Sequence, residues 1–134
     1  MKIYRLLSIL AVYTLLATGL HAQNAPQTKE QRDKQMLEYI DKEVQRLSDM
    51  LKLEYWQEFY VDSILTHNLS AMAEELAQLQ QAKVENADLY LDVRDKWNEA
   101  TDQALARVFD ETQWKKYLKT GAGREKKARD KRKK

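Results

Sequence analysis

His67 is the one imidazole beyond residue 22, and the chain has no cysteine. Zinc needs several nitrogen, sulfur or carboxylate ligands converging on one point, and no second His or Cys is there to join His67. Asp62 lies five residues earlier, a spacing that does not share a helix face, so His67 reads as a solvated side chain. Glu74, Glu75, Glu85, Asp88, Asp92 and Asp95 are the next groups with chemical reach. General acid–base work needs two carboxyls whose surroundings drive their pKa values apart, whereas these read as solvated helix faces. The sequence holds no Ser-His-Asp order, no glycine-rich phosphate loop and no dinucleotide fingerprint. A protein without catalysis, cofactor or metal is expected.

What remains is the chemistry of adhesion. Trp56, Phe59, Tyr60, Ile64, Leu65, Met72, Trp97 and Trp114 are large apolar side chains at helical spacings. They are the candidate face for an unfolded client, for a second copy of the chain, or for both. The carboxyl end offers the opposite character. Arg124, Lys126, Lys127, Arg129, Lys131, Arg132, Lys133 and Lys134 crowd into residues 121–134, which carry a net charge of +6. Such a run attracts anionic partners such as lipid head groups. Nucleic acid is not expected, since no stacking aromatics interleave with these charges. Residues 23–120 carry a net −6, so an acidic body precedes a basic end.

The elements that must position these residues are helices. Between Gln27 and Thr120 there is neither Gly nor Pro, and Ala, Leu, Glu, Lys and Gln dominate. Met36, Leu37, Ile40, Val44, Leu47 and Leu51 form one apolar stripe. Trp56, Tyr60, Ile64, Leu65, Leu69, Met72, Leu76 and Leu79 form a second, and Tyr90, Val93, Trp97, Ala100, Ala104 and Val108 a third. The spacing weakens over residues 80–88, where Asn86 and Asp88 are suited to cap a new helix. Asp110 and Gln113 make a capping-box pair, and Gly121 suits a helix C-cap. The expected fold is all-α: a helical hairpin or open three- to four-helix bundle over residues 29–120. A linker at residues 23–28 precedes it and a flexible basic tail at residues 121–134 follows. So thin a core favours a homodimer.

The first 22 residues read as a secretory signal peptide. Lys2 and Arg5 precede an apolar run from Leu6 to Leu16, and small residues follow up to Ala22. A membrane span needs about 20 apolar residues, and this run falls short unless Ile3 and Tyr4 are counted, so a cleaved signal is expected over an uncleaved anchor. The expected cleavage is after Ala22, with Gly19 as the alternative. The protein is then periplasmic or secreted.

Two segments resemble a known pattern. Leu51-Lys-Leu-Glu-Tyr-Trp-Gln57 is similar to the first Leu-Thr-x-x-Gln motif of the Spy and CpxP group of periplasmic chaperones. Val108-Phe-Asp-Glu-Thr-Gln113 is similar to the second. Leu53, Glu54 and Gln57 match the first motif, and Phe109, Asp110 and Gln113 the second. Neither copy has the motif threonine. Asp110 replaces it as an N-cap, while with Glu54 in that place residues 29–80 fit either one helix or two. The resemblance implies that each motif starts a helix and that the two meet at the base of a curved hairpin. It further implies that hairpins pair into a cradle for unfolded proteins. The expected function is a non-enzymatic, ATP-independent periplasmic chaperone or envelope-stress adaptor. The alternative is a structural bundle that binds a folded envelope partner or an anionic membrane surface through its basic end.

Overall fold

The computed structural model describes residues 27–133. The signal peptide, its cleavage site and Lys134 lie outside the described residues. The chain divides into two units, residues 1–33 and 34–134. The described part of the first is a capped helix opening. Thr28 Oγ1 accepts from the Gln31 N–H at 3.2 Å, and Gln31 Oε1 accepts from the Thr28 N–H at 3.0 Å.

Five helices are described: α1 (Lys29–Leu51), α2 (Tyr55–Gln81), α3 (Ala87–Val108), α4 (Glu111–Tyr117) and α5 (Gly121–Arg132). The class is all-α as expected: four helices lie within residues 29–120, and the fifth lies beyond them. Among the described residues no helix is long and apolar enough to cross a membrane.

Residues 29–80 are two helices, and the break has a backbone cause. Lys52 adopts φ 56°, and the Leu53 N–H turns back to the Ser48 carbonyl at 3.3 Å. That is a left-handed helix stop, made here without glycine. The same device ends α2, where Lys83 has φ 53° and the Val84 N–H reaches the Leu79 carbonyl at 3.0 Å. Asn86 then caps α3, its side chain accepting from the Asp88 N–H at 2.9 Å.

The core of the second unit draws on the first two stripes; α3 supplies Leu105, outside the third stripe, with Val108 half-buried against it. Ile40, Leu47 and Leu51 of α1 cluster with Val61 and Leu65 of α2, Leu105 at the end of α3, Phe109 and Tyr117. Removing each such side chain from water contributes about 1.5–3 kcal/mol. Not every stripe position is inside, for Leu37 is exposed.

The carboxyl end departs from expectation. Residues 121–132 are helix α5 rather than a loose tail, and Gly121 opens that helix instead of closing α4. Thr120 is the hinge: its Oγ1 donates to the Tyr117 carbonyl at 2.6 Å and accepts from the Ala122 N–H at 3.3 Å. Gly123 is buried against the preceding turn. A Cβ there would lie 1.7 Å from the Leu118 carbonyl oxygen, so only glycine fits.

A charge ladder holds α5 on α3. Asp95, Glu99 and Asp102 recur at four- and three-residue steps along one face of α3. Arg132 forks onto Asp95 at 2.7 and 2.6 Å. Arg129, only 2% exposed, hydrogen-bonds Asp102, and its Nε faces Glu99 Oε2 at 3.5 Å. Lys133 Nζ lies 3.7 Å from Glu99. The Tyr117 hydroxyl donates to the other Asp102 oxygen at 2.9 Å. Burial raises the Tyr117 phenol far above its ordinary pKa, and the charge of Asp102 and its hydrogen bond add to this. Tyr117 thus stays a neutral donor. A charge as buried as Arg129 is tolerated only with its partners in place.

Candidate functional site

Glu54, three residues after the end of α1, and Asp110, two after the end of α3, each cap the start of a helix, and each is followed three residues on by glutamine. Gln57 Oε1 accepts from the Glu54 N–H at 2.9 Å, and Gln113 Oε1 accepts from the Asp110 N–H at 2.9 Å. Asp110 returns the bond, accepting from the Gln113 N–H at 2.8 Å.

The two amides then meet. Gln57 Nε2 donates to Gln113 Oε1 at 2.8 Å, and Gln113 Nε2 donates to Gln57 Oε1 at 3.1 Å. Each amide also crosses to the helix end beside the other corner. Gln57 Nε2 reaches the Val108 carbonyl at 2.9 Å, and Gln113 Nε2 the Leu51 carbonyl at 3.4 Å. Both side chains are buried, and a glutamine amide has two donor hydrogens and two acceptor sites. Here all of them are used. The pair clamps the α1–α2 corner to the α3–α4 corner, and nothing in it is left to act on a ligand. Leu53 packs half-buried against the core, and Phe109 lies inside it.

Immediately beyond the clamp the surface is aromatic. Tyr55 is 87% exposed, Trp56 50%, Phe59 64% and Tyr60 51%. Tyr60 meets Trp56 and Phe59 edge-on, with ring centroids 6.2 and 5.7 Å apart. The Trp56 indole N–H donates to Glu54 at 2.6 Å, which satisfies the ring's one polar atom. A shallow groove runs beside this patch, between α1 and α2. Asp41, Val44 and Gln45 form one wall, and Tyr55, Glu58, Phe59 and Asp62 the other.

The remaining residues of the expected face divide by position. Leu65 belongs to the core, 6% exposed, and is not a surface residue. Ile64 and Met72 are half-buried, Ile64 against the core. Trp97 lies on α3, where its indole N–H donates to Glu75 at 2.8 Å beside the Lys96–Glu75 ion pair. Those hydrogen bonds, from Lys96 first and then Trp97, lower the pKa of Glu75. Trp97 thereby ties α3 to α2, and His67 stands exposed with its ring 6.3 Å away. Trp114 stacks on Tyr117 at 5.2 Å. The exposed part of the expected face is therefore the opening of α2, and sequence reading missed only Tyr55 within it.

At the carboxyl end Lys126 pairs with Asp130, while Arg129, Arg132 and Lys133 are engaged by α3. Arg124, Lys127 and Lys131 are exposed. The ladder on α3 had a legible signal, since three carboxylates at helical steps face basic residues at steps of three and one. Among the described residues no group of His, Cys, Asp or Glu is placed to hold a metal ion. Neither a protein-family model, nor a curated protein, nor a solved structure matches the chain.

Proposed function

We propose that this chain is a non-enzymatic, ATP-independent periplasmic chaperone or envelope-stress adaptor that holds unfolded polypeptide on the opening of α2. The observation that carries this reading is the contiguous exposure of Tyr55, Trp56, Phe59 and Tyr60. An aromatic patch rimmed by charge marks an interaction surface, and rings offer contact area at low entropic cost. The meeting of Gln57 and Gln113 supports the same reading. In the Spy and CpxP group, which these segments resemble, the two motifs come together at the base of a helical hairpin. Pairing into a homodimer belongs to this proposal, and sedimentation velocity tests it. The basic end is the weaker candidate for partner binding, because α3 and Asp130 engage half of its cations.

The test is light scattering by an unfolded, aggregation-prone client without nucleotide. Suppression at about one dimer per client is expected. Trp56→Ala combined with Phe59→Ala should raise the amount of protein needed by roughly tenfold while leaving the helical signal intact. No suppression at large excess overturns the proposal.

A further inference from the structure

The aromatic patch stands on a helix of one charge sign. Between Tyr55 and Gln81 there are four carboxylates, Glu58, Asp62, Glu74 and Glu75, and no lysine or arginine. Two of these, Glu58 and Asp62, line the groove with Tyr55 and Phe59, and α1 adds Asp41 from the facing wall. Every charged residue lining the groove is thus acidic, with no Lys, Arg or His among the lining residues. None of the ion pairs between described residues engages Asp41, Glu58 or Asp62. Glu58 accepts a hydrogen bond from Ser48, which holds its carboxylate at the groove without neutralising it.

Exposed rings beside unpaired carboxylates suit one chemistry. An ammonium or guanidinium is attracted by the face of an aromatic ring and by a nearby carboxylate, while its aliphatic stem lies on apolar surface. An acidic segment meets repulsion at the same place. We propose that the groove between α1 and α2 takes polypeptide segments in which a lysine or arginine lies next to an apolar residue. This deepens the chaperone reading and rests on it: the patch binds polypeptide, and the groove sets which segments it prefers.

Three fluorescent unstructured peptides test the proposal against the full chain by anisotropy. They share an apolar core and carry flanking Lys, Ser or Glu. The Lys peptide should bind about tenfold tighter than the Glu peptide, with the Ser peptide between. Raising salt from about 50 to about 500 mM should narrow that gap to about twofold. Asp41→Asn with Asp62→Asn should narrow it equally and leave the Ser peptide unchanged. Equal binding of all three peptides overturns the preference and leaves the chaperone reading standing. Binding of none, or binding that survives Trp56→Ala with Phe59→Ala, overturns both. A second copy seated on the patch is told apart by mass: that double variant would then be monomeric and bind peptides no worse, which also overturns the proposal.

Discussion

Gln57 and Gln113 are 56 positions apart, yet each completes the hydrogen bonding of the other. A buried amide with every donor and acceptor used becomes costly when its partner is removed, because the orphaned groups have no water to turn to. Gln57→Ala strands the Glu54 N–H and the Val108 carbonyl, and takes one of two hydrogen bonds from each polar atom of Gln113. Each single alanine variant should therefore lose about 2–3 kcal/mol. The double variant should lose less than the sum by about 1 kcal/mol or more. Urea denaturation of the four proteins checks this, and strict additivity would mean that the two amides act separately. The identities of these residues were legible in the sequence, and so was the capping role of Gln113. Their meeting was expected only from the resemblance, since no local spacing encodes a bond between two corners.

The helix ends make their own predictions. Lys52 and Lys83 hold left-handed backbone that costs a side-chain-bearing residue about 1 kcal/mol. Glycine adopts it freely but loses more entropy on folding. Lys83→Gly should consequently stabilise the protein by about 0.5 kcal/mol, read as a rise in the urea midpoint. A fall would show that the lysine makes a contact there worth more than the strain. These stops also explain why the breaks were hard to place from sequence: Gly and Pro are the usual markers, and neither is used. Helix α5 depends on charge instead. The hydrogen bond from Arg132 holds Asp95 below the usual carboxylate range. Burial works against ionisation of Glu99, but the Gln103 hydrogen bond and the charges of Lys133, Lys126 and Arg129 outweigh it and leave Glu99 lowered as well. In the unfolded chain these groups titrate near about 4. Carboxyls lowered on folding contribute stability that is full above that value and lost as pH falls through their folded values. The urea midpoint should thus be level from about pH 7 to 5 and drop by pH 3. Asp95→Asn should flatten part of that drop, and an unchanged pH profile in the variant would remove α5 docking as its cause.

At the scale of the molecule, the all-α class and the apolar stripes followed from composition and period alone. At the carboxyl end the sequence reading of a flexible basic tail differs from the observed helix α5 for a physical reason, although the +6 end lying on the −6 body was a reading the charges allowed. Residues 121–134 are so basic that they read as self-repelling, and only contact with Asp95, Glu99 and Asp102 reverses that. Local composition said disorder, whereas a complementary face elsewhere in the chain supplies the counter-charge. The clamp between the corners has a consequence for motion. The Glu54 and Asp110 amide hydrogens bond to two carbonyl oxygens that belong to one interlocked pair. Neither corner can release its first turn without breaking the bonds that close the other. Two helix starts that look like independent fraying points therefore open as a single event. Exchange of their amide hydrogens with solvent is governed by one opening equilibrium rather than two.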